Sequence, residues 1–149
     1  AKYAVRAGGG RNHRIGLYDQ ILVKDNHLAD WIAAHKELST ADSLRLAVEH
    51  AAASQPRLII EVEVDSVDQL RAVLCGPVNI VLLDNMVPAQ LREAVALRDA
   101  IAPLVELAAS GGISLETIRA VAESGVERIS VGALTHSPTI LDLGFDWAG

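Results

Sequence analysis

Short apolar runs alternate with helical patterns through most of this chain, and this alternation constrains the fold more than any other feature of the sequence. The apolar runs are rich in Val, Ile and Leu and cover residues 58–64, 78–83, 105–109 and 128–131, with a weaker run at 21–23. Helical patterns separate them, at residues 28–38, 43–54, 67–74, 88–100 and 115–124. Strands buried on both faces have this continuous apolar character, so the alternation predicts an α/β fold with a parallel sheet.

About five strands are too few for a closed barrel. A closed eight-stranded βα barrel needs roughly 250 residues, whereas this sequence has 149. The chain is therefore either an open sheet or part of a barrel. It starts at Ala1, in a basic segment without an initiator Met, and this favours a barrel fragment. On that interpretation the chain supplies only part of a barrel.

Composition and charge exclude several classes of function. Aromatic residues make up 3% of the chain, too few for a nucleic-acid module that works by base stacking. The formal net charge is −6, yet residues 1–24 contain five Lys or Arg and one Asp, an excess of four positive charges. Most of the surface would repel DNA, while the cationic segment suits a small anion.

The single cysteine bears on the cellular compartment. Cys75 has no partner for an internal disulfide, and one thiol is too few for a structural zinc cluster, so a reducing, cytoplasmic location is expected. With no evident base beside it in sequence, Cys75 is interpreted as a packing residue. The sequence contains neither a signal-peptide core nor a run of eighteen apolar residues.

One predicted strand carries three carboxylates. Because side chains alternate along a strand, Glu61, Glu63 and Asp65 share one face. They belong either to an edge strand with a solvated face or to a buried strand inside a barrel. In the second case they would bind a metal or a polyol, or have raised pKa values.

A second acidic position follows the strand at residues 78–83. In a βα barrel the carboxyl ends of the strands carry the active site, which makes Asp84 a candidate catalytic residue. The alternative is that Asp84 or Asn85 caps the helix that opens near Pro88. Position alone does not separate the two.

Two consecutive strands end in glycine-bearing loops. Ser110, Gly111 and Gly112 follow one strand, and Gly132 with Ala133 follows the next. Glycines let backbone N–H groups approach an anion beside a helix start. A single loop of this kind is more often a tight turn, but the consecutive pair predicts a phosphate site.

The cationic segment supplies the remaining candidates. His13 and Arg14 follow a glycine-rich turn, and Lys24 precedes His27. Arg and Lys suit a carboxylate ligand, although a solvated basic loop is the plain alternative. A zinc site of His13 and His27 is a weak alternative, since neither has a closely spaced partner. His35 and His50 are interpreted as ordinary helix-surface residues, and dinucleotide, P-loop and zincin motifs are absent from the sequence.

Taken together, these motifs resemble those of the quinolinate phosphoribosyltransferase family. The matching blocks, in the family's order and spread over nearly the whole chain, are Lys2-Tyr3-Ala4-Val5-Arg6, Gly8-Gly9-Gly10, Asn12-His13-Arg14, Gly16-Leu17, Lys24-Asp25-Asn26-His27, Glu61-Val62-Glu63, Leu83-Asp84-Asn85, Ser110-Gly111-Gly112 and Val131-Gly132-Ala133-Leu134-Thr135-His136-Ser137. The resemblance implies a partial α/β barrel of the type II phosphoribosyltransferase kind, with residues 1–149 as the C-terminal portion of the catalytic barrel domain. Family members also carry an N-terminal sandwich domain and first barrel elements that this sequence lacks, so this piece alone should be inactive.

The resemblance also implies an activity and a site. The family transfers phosphoribose from phosphoribosyl pyrophosphate to quinolinate with Mg²⁺, giving nicotinate mononucleotide, pyrophosphate and CO₂ for NAD synthesis. Lys24, Glu63 and Asp84 would be catalytic, with Glu63 and Asp84 facing the ribose and the metal. His13, Arg14 and Lys24 would hold quinolinate. The 5-phosphate would be bound by Ser110, Gly111, Gly112, Gly132, Ala133 and His136.

Two departures and two alternatives accompany the resemblance. Position 108 is Ala where family members usually have Glu, and Glu106 is expected to share its strand face. The stretch between His27 and Glu61 is longer than usual and includes Trp31 and His35.

Two alternative functions remain open. They are a related pyrophosphorylase with another acceptor and a non-catalytic phosphate-binding module. By similarity, a homodimer or homohexamer without nucleic-acid or membrane partners is expected.

Overall fold

Five parallel strands form a single sheet in this computed structural model, which describes residues 1–14, 16, 18–138 and 141–145. Leu17 of the Gly16-Leu17 motif lies outside the described residues. The strands are β1 (Gln20–Val23), β2 (Ile59–Val64), β3 (Ile80–Asp84), β4 (Glu106–Ser110) and β5 (Arg128–Ile129). Each strand pairs in parallel with the next one along the chain.

Helices connect the strands and flank them. They are α1 (Lys2–Ala7), α2 (Asp25–Ala34), α3 (Thr40–Ser54), α4 (Val67–Val73), α5 (Pro88–Ile101), α6 (Ile118–Ala122) and α7 (Ala133–His136). Local sequence sets several helix starts: the Ser39 side chain caps α3 by accepting from the Asp42 N–H, and Ser66 caps α4 in the same way. Pro88 occupies the first turn of α5, where its missing N–H costs nothing.

The strand order distinguishes the two architectures left open by the sequence. A doubly wound sheet reverses its strand order at a switch point, whereas these strands run β1-β2-β3-β4-β5 without reversal. Helix side chains form one core with the face of the sheet that carries Val62, Val81 and Leu107. The sequential order, with α2 to α6 packed on this one face, is that of a segment of a βα barrel.

The two faces of the sheet differ in chemistry. The helix-facing side is apolar and contributes side chains that are at most 2% exposed, among them Val62, Val64, Leu83 and Leu107. The opposite face, which corresponds to a barrel interior, has only a small apolar cluster of Ile80, Leu82 and Ala108 within the described residues. Apart from Leu22 and Ile59, polar side chains occupy the rest of that face, so the alternation of the strands separates the apolar core from the site.

The predicted strands and helices exist, with shifted ends. Two short helices, α1 and α7, were not predicted, and α6 is much shorter than the pattern at residues 115–124 indicated. The C-terminal turn after α6 uses Gly125 at a φ of 94°, in the left-handed region that favours glycine. Among the described residues, no helix has both the length and the apolar character needed to cross a membrane.

Two single-residue interpretations, those of Cys75 and His35, were wrong, whereas His50 is exposed on helix α3 as expected. Cys75 is exposed, and its thiol donates to the Arg71 carbonyl oxygen rather than packing in the core. His35 stacks on Trp31, with ring centroids 4.3 Å apart, and His50 packs against the same indole at 5.2 Å. His50 therefore helps join α3 to α2, whereas the stacking of His35 on Trp31 lies within α2 and its C-cap.

Candidate functional site

Five of the site residues predicted from sequence lie at the carboxyl ends of the parallel strands. Lys24 directly follows β1, Glu63 lies near the end of β2, and Asp84 and Ser110 are the last residues of β3 and β4. Gly132 follows β5 and precedes α7. The register pairs Asp84 with Ser110 directly, so this part of the site is fixed by strand pairing.

Glu63 lies at the electrostatic centre of this edge. Burial raises the pKa of its carboxyl above the ordinary value, the nearby Lys24 ammonium opposes that rise, and the charges of Asp84 and Asp25 add to it. The Asp25 backbone at the start of α2 also favours the charged carboxylate and so lowers the pKa of Glu63. Lys24 and Asp84, at the ends of the two neighbouring strands, thus influence the pKa of Glu63 in opposite directions.

Asp84 is held by two donors. The Asn85 amide nitrogen Nδ2 lies 2.6 Å from its Oδ2, and the Ser110 hydroxyl lies 2.7 Å from its Oδ1. The N-cap of α5 is Val87, so neither Asp84 nor Asn85 caps that helix, and the capping alternative is wrong. Asp84 is instead a half-buried carboxylate with a set orientation.

The glycine-bearing loops follow β4 and β5. Gly111 and Gly112 both have positive φ, 90° and 56°, which expose backbone that a larger residue would strain or cover. The Ser130 N–H donates to the Ala109 carbonyl oxygen at 2.8 Å, so the two loops leave adjacent strands. Gly132, Ala133 and His136 are exposed on α7 and its N-cap, and the His136 ring contacts the Ser137 hydroxyl at 2.7 Å.

A buried carboxylate lies deeper on the same face. Glu61 is 1% exposed and accepts hydrogen bonds from His13 and Gln20. Nε2 of His13 lies 2.9 Å from Oε1 and 2.7 Å from Oε2 of that carboxylate. Because β2 lies between β1 and β3, the solvated-edge alternative is wrong for Glu61. Asp65 lies beyond the end of β2 and is exposed, so the row of three carboxylates is a pair within the strand.

A cavity of about 600 Å³ opens on this face and extends from the starts of β4 and β5 to the loop after β5; its lining does not include Lys24, Glu63 or Asp84. His13, Glu61 and Gly132 line it, together with Arg128 and Glu106, which form an ion pair. Sequence reasoning missed Arg128 and the pairing of Glu61 with His13. The alternation of side chains within β5 could have indicated Arg128. The contact between Glu61 and His13 joins residues 48 positions apart, so no local sequence pattern indicated it.

The family departure at position 108 is visible in this cavity. Ala108 is 4% exposed and packs with Ile80 and Leu82 on the site face. Glu106 shares that face, as expected, since it pairs with Ile80 while Ala108 pairs with Leu82. Its carboxylate is engaged by Arg128, so Glu106 does not occupy the place of the missing glutamate.

The cationic candidates differ in their contacts, and of His13, Arg14 and Lys24 only His13 lines the cavity. Lys24 is exposed beside Glu63, and among the described residues the Arg14 guanidinium makes no hydrogen bond or ion pair. Within residues 1–14, 16, 18–138 and 141–145, no three His, Cys, Asp or Glu side chains converge as metal ligands. His13 contacts Glu61 while the His27 ring accepts from the Lys24 N–H, so these two histidines do not form the zinc pair.

A parallel sheet with sequential strands, helices on one face and polar residues at the strand ends defines the class of βα-barrel domains. Residues 1–146 match the model of the quinolinate phosphoribosyl transferase C-terminal domain. The chain therefore belongs to that family, and the predicted family and fold class are confirmed.

Known relatives support this assignment. The chain is 51% identical over 145 residues to the nicotinate-nucleotide pyrophosphorylase [carboxylating] of Mycobacterium leprae, covering 97% of this chain and 48% of the relative. The corresponding Bacillus subtilis protein, a probable nicotinate-nucleotide pyrophosphorylase [carboxylating], is 41% identical, covering 97% of this chain and 46% of the relative. The chain thus spans about half the length of the curated relatives it matches.

Solved structures agree in fold. A crystal structure of a NadC deletion mutant superposes with a TM-score of 0.79 at 38% identity, covering 95% of this chain and 46% of that one. The nicotinate-nucleotide pyrophosphorylase from Francisella tularensis gives a TM-score of 0.74 at 36% identity, covering 94% and 45%. A thiamine phosphate pyrophosphorylase from Pyrococcus furiosus shares the fold alone, with 16% identity, a TM-score of 0.57, and coverage of 87% of this chain and 61% of that one.

Proposed function

We propose that the complete protein transfers the phosphoribosyl group of phosphoribosyl pyrophosphate to quinolinate. Nicotinate mononucleotide, pyrophosphate and CO₂ are the products, one proton is taken up, and the reaction serves NAD biosynthesis. The observation that carries the proposal is the position of Lys24, Glu63 and Asp84 at the ends of three adjacent strands of a chain in this family. It places a cation and two carboxylates where barrel enzymes hold substrate.

The proposed quinolinate site uses the cationic segment. Quinolinate is a dicarboxylate, and His13, Arg14 and Lys24 come from the part of the chain with the positive excess. The Nε2 atom of His13 faces Glu61, so its Nδ1 atom is the one available to a ligand. The unpaired Arg14 guanidinium among the described residues suits bidentate contact with a carboxylate.

The proposed ribose site uses Glu63 and Asp84. In the transition state of such a transfer, positive charge develops at C1 of the ribose, and nearby carboxylates stabilise it. The same two carboxylates suit Mg²⁺, which is commonly bound by one or two protein carboxylates together with substrate phosphates. When bound, Mg²⁺ neutralises charge on the departing pyrophosphate.

The proposed phosphate site lies at the next two strand ends. Gly111 and Gly112 expose backbone at positive φ, and Gly132, Ala133 and His136 are exposed beside the neighbouring strand. Ser110 donates to Asp84, which links this site to the ribose site. The proposal further includes a homodimer or homohexamer in the cytoplasm, without nucleic-acid or membrane partners.

Turnover by the complete protein tests the proposal. Quinolinate consumption and CO₂ release are expected only when phosphoribosyl pyrophosphate and Mg²⁺ are both present, and gel filtration with light scattering reports the assembly. Nicotinate serves as the acceptor control, because it lacks the second carboxylate. Turnover of nicotinate, with quinolinate left unchanged, would show that the acceptor is assigned wrongly.

One lysine variant separates an enzyme from a phosphate-binding module. Lys24→Ala in the complete protein should lower kcat/KM for quinolinate roughly 100-fold or more, because the variant lacks the ammonium at the proposed acceptor site. Lys36→Ala is the matched control, since Lys36 is exposed and lies away from the strand ends. A change limited to phosphate affinity would favour the non-catalytic module.

A further inference from the structure

The orientation of the Asp84 carboxylate depends on the residue that follows it. Nδ2 of Asn85 donates to Oδ2 at 2.6 Å, while the Ser110 hydroxyl donates to Oδ1 at 2.7 Å. One donor on each oxygen fixes the rotation of the carboxylate about its last bond and leaves lone pairs on both atoms for a ligand.

Asn85 has a backbone conformation suited to this contact. Its φ is 54°, and it is the single described non-glycine residue with a positive φ. Asn tolerates this left-handed region better than most residues. The Asn85 N–H donates to the Ser110 carbonyl oxygen at 3.0 Å, so the turn also ties the loop after β3 to the end of β4.

Gly111 provides the space in which the Asn85 amide lies. A Cβ atom at position 111 would lie 2.6 Å from Cγ and 2.8 Å from the backbone nitrogen of Asn85, and closer still to Oδ1. Gly112 differs, because a Cβ there would meet no heavy atom within 4 Å although its φ is also positive. A side chain is therefore excluded by the neighbouring Asn85 at position 111 but not by any neighbouring atom at position 112.

We propose that Asn85 is a positioning residue that fixes the Asp84 carboxylate toward the ribose hydroxyls and Mg²⁺, and that Gly111 lacks a side chain to admit the Asn85 amide. The role of Asp84 in this inference rests on the proposed function. The geometry of Asn85, Ser110 and Gly111 does not depend on it.

Variants of Asn85 in the complete protein test the inference. Asn85→Gly keeps the left-handed backbone but removes the donor, and Asn85→Asp keeps the shape but places a second carboxylate beside Asp84. Both should lower kcat roughly 10–100-fold, and Asn85→Gly should also raise the Mg²⁺ concentration for half-maximal rate, as loss of a supporting hydrogen bond at a metal site does. The KM for quinolinate should change little, because Asn85 does not belong to the proposed acceptor site.

Glycine variants provide the matched comparison. Gly111→Ala should reproduce the loss seen in Asn85→Gly, whereas Gly112→Ala, which shares the positive φ without the clash, should keep a much larger share of kcat. In the Asn85→Gly background, Gly111→Ala should lower kcat by a smaller factor than it does in the wild-type background, because the Asn85 amide that the new methyl group would displace is absent.

Readouts without turnover keep the inference separate from the proposed function. Mn²⁺ binding measured by electron paramagnetic resonance should weaken in Asn85→Gly, and a crystal structure of that variant should show the Asp84 carboxylate rotated. An unchanged carboxylate together with wild-type kcat and Mn²⁺ affinity would overturn the inference. If the wild-type protein makes no product, the proposed function fails, and the Asp84 orientation in the Asn85→Gly crystal still decides the positioning role.

Discussion

At the scale of single residues, the contact between His13 and Glu61 organises the interior face of the sheet. A carboxylate that is 1% exposed needs donors, because an unpartnered buried charge is costly. His13 and Gln20 supply them. The same contact points Nε2 of His13 away from the strand ends and so limits which ring atom a substrate can reach.

Removing the His13 ring should destabilise the protein. His13→Ala leaves Glu61 with one donor fewer, so a loss of about 1–3 kcal/mol in the free energy of unfolding is expected. Urea titration of the complete protein at neutral pH measures it. His136→Ala is the control, because that ring is exposed and contacts only Ser137 among the partners found for it. Equal stability of the two variants would contradict a structural role for the His13 contact.

Residue-level chemistry was only partly predictable. The alternation of β2 predicted that Glu61 and Glu63 share a face, and the strand-end rule predicted the place of Asp84, because both are properties of local sequence. The partner of Glu61 was not predictable, since it comes from a loop 48 residues earlier. Gly111 was correctly marked as a special backbone position, but its steric relation to Asn85 depends on how two loops meet in space.

At the scale of elements, Arg98 and Glu127 join three parts of the fold. Arg98 on α5 is 5% exposed, donates to the Val105 carbonyl oxygen at 2.6 Å and pairs with Glu127 at 2.7 Å. Glu127 also accepts from the Leu107 N–H of β4 at 2.8 Å. The pair therefore connects α5, β4 and the segment that enters β5.

This ion pair should make stability depend on pH. Burial alone would raise the pKa of Glu127, but hydrogen bonds from Arg98 and Leu107 outweigh it and lower the pKa below the ordinary 4.5. A lowered pKa in the folded state gives stability that is present above the ordinary pKa and lost as pH falls through the folded-state value. Glu127→Gln should therefore cost about 1 kcal/mol at neutral pH, since the side chain is 37% exposed.

Urea titrations from neutral pH down through the acidic range measure the effect. The difference between wild type and Glu127→Gln should shrink toward zero below the folded-state pKa of Glu127. Asp99→Asn is the matched control: Asp99 pairs with the same arginine but is 61% exposed, so its effect should be smaller. A Glu127→Gln deficit that persisted unchanged at low pH would contradict this account.

Element boundaries show where sequence patterns stop being informative. The long helices α3 and α5 have strong starts, at Ser39 and Pro88, and were predicted within a few residues. The four-residue α7 and six-residue α1 were missed, because such short helices carry too few residues for a periodic pattern. These two helices contact each other although they are the first and last elements along the chain, so long-range packing rather than local sequence accounts for them.

At the scale of the whole molecule, the sheet has a stable centre. β3 lies between β2 and β4 and pairs with both along most of its length, whereas β5 contributes two residues to the ladder. Side chains of Val81 and Leu83 in β3 are completely buried. Backbone hydrogen bonds in β3 are therefore shielded by strands on both sides and by the helix-facing core.

Hydrogen exchange should reveal this gradient. Amides of β3 are expected to exchange slowest, through global unfolding, and those of β5 faster, through local opening. Exchange measured on the complete protein by mass spectrometry or NMR checks the order. Protection of β5 equal to that of β3 would contradict the gradient. The parallel sheet itself was predicted from the apolar runs, while the sequential order followed from the predicted barrel and not from the strands themselves, because strand composition does not encode which neighbour a strand takes.

The sequential order also has a consequence for how the chain is made. Each new βα unit settles beside the one synthesised just before it, so the sheet can grow in the order in which the ribosome delivers it. Pairing between close units shortens the loops that must close, and this favours rapid assembly over slow searches between remote segments. The architecture that gathers the polar residues at one rim thus also suits vectorial folding during translation.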